Sequence, residues 1–224
     1  MTSTTYATRR GQLTTYFDRT AVEAWSRLTS DAPVSRIRAT VRAGRDAMRG
    51  TLLSWLPADM RGMRLLDAGC GTGLCGPYLR PYAARLTGID LSGNMLDKAR
   101  SRAEYDALER AEVTSFLAAH TGAFDLVASA DTLVYFGDLA AVLAGCAAAL
   151  RPGGRLVFNV EEDGEGGSGA GFRLQPNGRY AHRESYAAAQ IEAAGLSLIA
   201  VLREPYRRER GAPVPGLFFV AAKG

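Results

Sequence analysis

The chain has 224 residues and a formal net charge of +4 at pH 7, a modest basic excess for its length. This length suffices for one sizeable domain, and the composition is that of a globular protein rather than a disordered one. The three cysteines lack paired C-x-x-C spacing, which argues against a disulfide framework or a structural zinc site. Because no apolar run reaches the ~20 residues of a membrane span and the amino terminus lacks a signal-peptide pattern, we expect a soluble, cytoplasmic protein.

Two amphipathic helices are predicted in the first 60 residues, over 8–29 and 34–56, and neither alternates with strands. The second helix carries arginines at steps of four, three and four, which places them along one face: Arg38, Arg42, Arg45 and Arg49. This row is either a solvated face or a clamp for carboxylates or phosphates, which the planar guanidinium group suits. We therefore divide the chain into a helical segment that covers the substrate, 1–60, and a larger domain, 61–224.

Strands and helices alternate in the larger domain, which predicts an α/β fold with parallel strands and helices on both faces. The last two predicted strands have no helix between them, so we expect them to pair as an antiparallel hairpin at the sheet edge. Helices are predicted at 76–82, 92–104, 139–150 and 183–194. The predicted strands are 64–68, 85–90, 107–112, 124–130, 155–160, 196–202 and 216–222.

The first predicted strand ends at Asp67 and runs into a loop with glycines at alternate positions, Gly69, Gly71 and Gly73. In a parallel α/β sheet, ligands bind outside the carboxyl ends of the strands, where this loop would form the floor of the site. Glycines permit the close backbone approach that a Cβ would block, and the next helix offers its N–H groups to an anion. The loop is therefore the predicted ligand site.

Three acids fall at the ends of successive predicted strands, Asp67, Asp90 and Glu112. Asp90 follows the glycines by about the ~20 residues at which an acid meets a ribose hydroxyl. Asp67 is placed to receive a cationic amine, directly or through water. Glu112 or a neighbouring backbone amide is placed to receive an adenine amino group. Such a ligand is S-adenosylmethionine more readily than a dinucleotide, because the glycines do not complete G-x-G-x-x-G. The predicted cofactor-binding residues are Asp67, Gly69, Cys70, Gly71, Gly73, Asp90, Leu91, Met95, Glu112 and Asp131.

Four segments, taken in order, resemble the motifs of class I S-adenosylmethionine-dependent methyltransferases: 65–73, 88–92, 124–127 and 150–154. The resemblance implies a Rossmann-like sheet of seven strands, mostly parallel with an antiparallel last strand. It also implies that the cofactor lies across Asp67, the glycine loop and Asp90.

Two narrower resemblances disagree about the substrate. Residues 16–20, 24–29 and 41–49 resemble the N-terminal helices of bacterial magnesium-protoporphyrin O-methyltransferases. Residues 131–138 and 172–182 are closer to methyltransferases often fused to tetratricopeptide repeats, so the chain is a divergent member or a hybrid. The first resemblance implies O-methylation of a propionate on a magnesium-porphyrin-type substrate. The alternative is O- or N-methylation of another small molecule, such as a phenol, a carboxylic acid or a natural product.

The need for a catalytic base depends on the acceptor. A propionate is already ionised at neutral pH, whereas a phenol, hydroxyl or amine benefits from a base. His182 is the leading candidate for that base because its unperturbed pKa lies near neutrality; the alternative is a histidine bonded to backbone. Asp131 and Tyr135 follow the fourth strand and are expected to line the methyl-transfer side. The predicted substrate-binding residues are Tyr16, Phe17, Trp25, Arg38, Arg42, Arg45, Tyr135 and Tyr180.

Tyr16, Phe17 and Trp25 are interpreted as an apolar roof over a flat substrate, or alternatively as residues that pack the helices onto the sheet. The expected partner is a small molecule. Nucleic acid is not expected, because the arginine-rich helix lacks interleaved aromatic residues and the basic excess is small. No metal site is predicted, and the sequence leaves the oligomeric state open.

Overall fold

The computed structural model describes residues 11, 13, 15–20, 50, 62–164, 169–209 and 212–224. Most of the predicted helical segment lies outside these residues, and so do four of the predicted substrate-binding residues, Trp25, Arg38, Arg42 and Arg45. In the described part of that segment, residues 11, 13 and 15 are helical and Tyr16–Thr20 form a π-helical turn.

One sheet contains the nine strands found in the described residues. Neighbouring strands in the order β3-β2-β1-β4-β5 all pair in parallel. Strand β9 pairs antiparallel with β5, and β8 pairs antiparallel with β9. The predicted α/β fold with an antiparallel last strand is therefore confirmed. The strands are β1 (Met63–Ala68), β2 (Ala83–Asp90), β3 (Ala107–Arg110), β4 (Phe124–Ser129), β5 (Leu150–Glu162), β6 (Phe172–Leu174), β7 (Tyr180–His182), β8 (Leu196–Glu209) and β9 (Ala212–Lys223).

Two parts of the sheet differ from the prediction. The short strands β6 and β7 form an unpredicted hairpin, and β7 continues the sheet beside the end of β5. Three residues are too few to show the period-two alternation by which a strand is recognised. Strands β8 and β9 also extend over residues 203–209 and 212–215, for which no strand was predicted. Pro205 pairs with Pro215 next to an irregularity in the ladder, and β8 lies at the edge, where a missing N–H is tolerated.

The helices agree with the predicted alternation, except that α3 was not predicted. It has only seven residues and opens with the β-branched pair Val113 and Thr114, which have low helix propensity. Ser92 caps α2 by accepting a hydrogen bond from the Met95 N–H at 3.2 Å. None of the helices described here has the length and apolar character needed to cross a bilayer. The helices are α1 (Gly76–Leu79), α2 (Gly93–Arg100), α3 (Val113–Ala119), α4 (Ala140–Ala149) and α5 (Glu184–Ala193).

Apolar side chains cover both faces of the central strands. Leu66 of β1 belongs to the apolar cluster that includes residues of α3, α4 and α5, whereas its neighbour Leu65 packs with Leu79 of α1 on the other face. Strand β5 shows the same division at Phe158 and Val157. Because these strands are buried on both faces, their carboxyl ends are held at one edge of the sheet, where the predicted site residues lie.

Candidate active site

The glycine loop after β1 is tied to β2 and lies against the loop after β4. The N–H groups of Gly69 and Cys70 both donate to the Ile89 carbonyl at 2.9 Å. Gly69 has a φ of +80°, and a Cβ built on it would lie 2.2 Å from the Thr132 Oγ1. A side chain is therefore excluded at Gly69 both by its backbone conformation and by its neighbour.

Asp90 at the end of β2 is bonded to this loop. Its Oδ2 accepts from the Gly71 N–H at 2.9 Å, and its Oδ1 accepts from the Ser92 N–H at 2.8 Å. Burial raises the pKa of Asp90, whereas these two hydrogen bonds act in the opposite direction. Each carboxylate oxygen has a second lone pair, so Asp90 can also accept from a pair of ligand hydroxyls.

Asp67 at the end of β1 is bonded to a residue that the sequence did not predict, Tyr105. The carboxylate is only 1% exposed, and its Oδ2 accepts from the Tyr105 hydroxyl at 2.6 Å. Burial and the nearby charge of Asp67 raise the pKa of Tyr105 well above its ordinary value, so the hydroxyl remains a donor. Tyr105 lies between α2 and β3, outside any motif, and no sequence signal marks it.

The other predicted cofactor-binding residues lie around this centre. Burial, followed by the charges of Asp67 and Asp90, raises the pKa of Cys70 well above its ordinary value, so its thiol is neutral. Met95 is buried in the first turn of α2, and Leu91 is half-buried beside it. All three cysteines lie in described residues, and none of them forms a disulfide.

Glu112 follows β3, as predicted, and is the N-cap of α3. Its carboxylate accepts from the N–H groups of Thr114 and Ser115 at 2.9 and 2.8 Å, and from the Ser115 hydroxyl at 2.9 Å. This capping role explains the acid without a ligand. Its contact with an adenine group stays a prediction.

The turn Tyr16–Thr20 connects the Asp90 side of the site with Tyr135. The Asp18 Oδ1 accepts from the Ser92 hydroxyl at 2.5 Å, and its Oδ2 lies 3.2 Å from the Arg110 Nη2. Its neighbour Phe17 meets the Tyr135 ring edge to face, with 5.5 Å between the ring centroids. Of the predicted roof, Phe17 therefore reaches Tyr135, whereas Tyr16 is exposed.

A buried network of charges surrounds Asp131 after β4. Asp131 has a left-handed φ of +56°, and its N–H donates to the Asn159 Oδ1 at 2.9 Å. The guanidinium of Arg207 is paired with Asp131 at 3.3 Å and is also hydrogen-bonded to Glu161. Arg207 is only 3% exposed, so the three charges are held away from water. The sequence predicted Asp131 but missed Asn159, Glu161 and Arg207, because pairing across distant strands has no local signal.

Tyr135 lies beside this network. The Arg179 Nε is 3.5 Å from the Tyr135 hydroxyl, and its Nη1 is 3.8 Å from Glu161. Burial raises the pKa of Tyr135, so it stays protonated at neutral pH. Tyr180 on β7 is half-buried and its ring packs edge to face on Phe172, with 6.0 Å between the centroids.

His182 does not have the surroundings expected of a general base. It is fully buried, and its Nε2 donates to the Gly137 carbonyl at 3.0 Å, so the Nδ1 carries the lone pair. Within the described residues the Nδ1 has no hydrogen-bond partner. Burial lowers the pKa of His182 from 6.5 to about 4, which makes it a weak proton acceptor. These surroundings favour the alternative, a histidine bonded to backbone, and the catalytic role of His182 stays a prediction.

This buried histidine predicts how stability depends on pH. Between pH 6.5 and about 4, the unfolded chain binds a proton at His182 and the folded chain does not, so stability falls as pH decreases through this window. The full contribution is about 3 kcal/mol. We expect urea unfolding of His182→Gln to show a correspondingly weaker pH dependence. Equal slopes for the unmodified chain and His182→Gln would contradict the prediction.

The family described as methyltransferase domain matches residues 66–158, which include the glycine loop, Asp90 and Asp131. These residues resemble a methyltransferase domain. The predicted resemblance to class I S-adenosylmethionine-dependent methyltransferases is therefore confirmed.

Individual relatives of the methyltransferase domain agree with this family. Magnesium-protoporphyrin O-methyltransferase of Rhodobacter capsulatus is 42% identical over 134 residues, which are 58% of this chain and 60% of that protein. Ubiquinone biosynthesis O-methyltransferase of Aromatoleum aromaticum is 35% identical over 117 residues, which are 48% of this chain and 49% of that protein. The chain thus spans less than two thirds of either curated relative. These matches do not support the resemblance to methyltransferases fused to tetratricopeptide repeats.

A solved structure resembles the chain beyond the methyltransferase domain. Magnesium protoporphyrin IX methyltransferase from Synechocystis PCC 6803, with bound SAH, has a TM-score of 0.77 to this chain. The two are 20% identical, and the match covers 96% of this chain and 100% of that one. At this identity the likeness shows the fold alone.

Proposed function

We propose that the chain is an S-adenosylmethionine-dependent O-methyltransferase that methylates a propionate carboxylate on a magnesium-porphyrin-type substrate. The observation that carries the proposal is the hydrogen bond from Gly71 to Asp90, which brings the acid after β2 onto the glycine loop after β1. The relative from Rhodobacter capsulatus supports the choice of substrate. We expect the enzyme to act in the cytoplasm on a small molecule, without nucleic acid.

The residues of the loop fit the proposed cofactor. A Cβ built on Gly71 would meet no described heavy atom within 4 Å, so the loop is open on that side. Asp90 would accept the ribose hydroxyls, and Asp67 would face the amino group, directly or through water. When bound, S-adenosylmethionine supplies an electrophilic methyl group on a positively charged sulfur.

The chain's own residues would act by positioning the acceptor. A carboxylate acceptor is already ionised at neutral pH, so the protein has to align it and exclude water rather than remove a proton. Tyr135 would contact the acceptor, with its ring held by Phe17 and its hydroxyl near Arg179. The network of Asp131, Arg207 and Glu161 would hold the Tyr135 side of the site rigid. A mechanism without a base also agrees with the burial of His182.

The test is transfer of a labelled methyl group to magnesium protoporphyrin, beside metal-free protoporphyrin and a panel of phenols and carboxylic acids. We expect the magnesium porphyrin to be esterified. Methylation of a phenol but not of any porphyrin would overturn the proposed substrate.

Asp90→Ala is expected to weaken the binding of S-adenosylhomocysteine by about 30-fold, because hydrogen bonds to a charged group are each worth about 1.5–3 kcal/mol. Isothermal titration calorimetry measures this loss. The matched control is Asp97→Ala, which removes an exposed acid of the neighbouring helix and should leave affinity unchanged. Equal affinity in both variants would remove the ribose role from Asp90.

A second class of acceptor, different from a porphyrin carboxylate, is favoured by the relative from Aromatoleum aromaticum, which is named as an O-methyltransferase of ubiquinone biosynthesis. If the acceptor is a phenol, a base becomes useful, and the buried His182 is poorly suited to that role. The substrate panel separates the two classes directly. A base would also give the phenol reaction a pH dependence that esterification of an ionised carboxylate lacks above about pH 6.

We propose that residues 1–60 cover the bound substrate, with Tyr16–Thr20 as the part that reaches the site. The contacts of Asp18 with Ser92 and of Phe17 with Tyr135 support this role. Deletion of residues 1–30 should therefore reduce turnover more than it reduces binding of S-adenosylhomocysteine. Full turnover on the true substrate after the deletion would exclude the covering role.

A further inference from the structure

We infer that Tyr105 is a positioning residue that holds the Asp67 carboxylate for a cationic amine and so selects cofactors that carry one. The inference rests on the proposed function and concerns the same site. Neither the sequence motifs nor the matched family assigns a role to Tyr105.

The first support is the position of the hydroxyl. It donates to the Asp67 Oδ2 at 2.6 Å, a short distance typical of a hydrogen bond to a charged acceptor. Asp67 is almost fully buried at the carboxyl end of β1, so an ionised carboxylate there requires hydrogen-bond donors. A carboxylate has about four lone-pair sites, and the bond from Tyr105 leaves capacity for an ammonium donor.

The second support is the way in which glycines seat the Tyr105 ring. A Cβ on Gly88, the residue paired with Asp67 in β2, would lie 2.8 Å from two ring carbons of Tyr105. A Cβ on Gly76 would lie 2.9 Å from the ring, and one on Gly73 would lie 3.1 Å from it. Three glycines from the loop, α1 and β2 thus leave room for one ring, whose orientation directs the hydroxyl at Asp67.

The third support is the charge around Asp67. Asp67 and Asp90 both contribute negative potential at Cys70, so two carboxylates share this end of the sheet. A neutral donor such as Tyr105 stabilises the ionised Asp67 without cancelling its charge. The carboxylate therefore keeps its attraction for a cation, which an arginine or lysine partner would have neutralised.

The test compares two ligands with the purified full chain by calorimetry. S-adenosylhomocysteine carries the ammonium group, whereas 5′-methylthioadenosine has the same nucleoside without the amino-acid part. Tyr105→Phe keeps the ring and removes the hydroxyl, and we expect it to weaken binding of the first ligand by about 10-fold and of the second by less than about 2-fold.

Two further variants sharpen the result. Tyr82→Phe removes the hydroxyl of an exposed tyrosine and should change neither affinity. Asp67→Asn should produce the same selective loss, and adding Tyr105→Phe to it should cost little more, because the hydroxyl acts through that carboxylate.

Equal losses for both ligands, or no loss, would overturn the inference and leave Tyr105 a packing residue. Failure of the unmodified chain to bind S-adenosylhomocysteine would instead overturn the proposed function. The two failures are therefore distinguishable.

Discussion

Arg207→Leu is expected to lower the free energy of unfolding by about 3–5 kcal/mol, the largest loss of stability that we predict for a single substitution. The guanidinium is buried and contacts both Asp131 and Glu161, and its removal would take this cation from both carboxylates and leave Arg179, 3.8 Å away, beside Glu161. Urea unfolding of the ligand-free chain measures the loss. The variant should also bind the proposed substrate more weakly under conditions in which it stays folded, because Asp131 is proposed to line the acceptor side.

Arg203→Leu is the matched control for this prediction. Arg203 lies on the same strand and also pairs with two acids, Glu162 and Glu184, but its side chain is 58% exposed. Exposed ion pairs contribute less than about 1 kcal/mol, so this variant should be close to the unmodified chain in stability. Similar losses of unfolding free energy in Arg207→Leu and Arg203→Leu would show that burial of the network contributes nothing to stability.

Gly69→Ala is expected to cost about 2–5 kcal/mol of unfolding free energy and to reduce the binding of S-adenosylhomocysteine strongly. Part of the cost is the left-handed backbone, and part is the overlap of the new Cβ with three side-chain atoms of Thr132. Because one of these atoms is the Thr132 Cβ, rotation of the threonine cannot relieve the overlap. The backbone after β4 has to move. Denaturant unfolding and calorimetry report the two effects.

Gly71→Ala separates these two causes. Gly71 also has a positive φ, of +53°, but a Cβ built there meets no described atom within 4 Å. Only the cost of the left-handed backbone conformation remains, so the unfolding free energy of the ligand-free variant should fall by about 1–2 kcal/mol. If the ligand-free Gly69→Ala and Gly71→Ala variants were equally stable, the contact with Thr132 would have no energetic weight.

The geometry around Asp90 could be predicted from the sequence for a physical reason. Parallel strands place their carboxyl ends at one edge, and about twenty residues of strand, loop and helix separate the ends of β1 and β2. The apolar runs identified the strands, and the glycines identified the loop between them. The bond from Gly71 to Asp90 then follows from the topology.

Tyr105 and Arg207 could not be predicted in the same way. Tyr105 reaches Asp67 because the chain turns after α2, at Ala103 with a φ of +56°, and no local pattern marks that turn. Arg207 lies in a charged, proline-containing stretch, which favoured an exposed loop. Only the pairing of β8 with β9 carries it to the buried acids.

The burial of His182 was not predicted for a related reason. A histidine near a predicted active site suggests acid–base chemistry, because its unperturbed pKa is near neutrality. The unpredicted strand β7 ends at this residue and carries the ring into the core, where burial lowers its pKa to about 4. The burial of His182 was therefore not predicted, and its catalytic role stays a prediction.

Asp18 gives the amino-terminal turn a thermodynamic connection to the cofactor side. Burial is the main cause of the raised pKa of Asp90, and the negative charge of Asp18 adds to it. Docking of the turn and protonation of Asp90 therefore favour each other. By reciprocity, a ligand that changes the charge or hydrogen bonding of Asp90 changes the docking equilibrium of the turn, by the same factor by which docking changes the affinity for that ligand. The affinity for the cofactor and the docking of the amino-terminal turn are therefore expected to be coupled. Asp18→Asn should change both together.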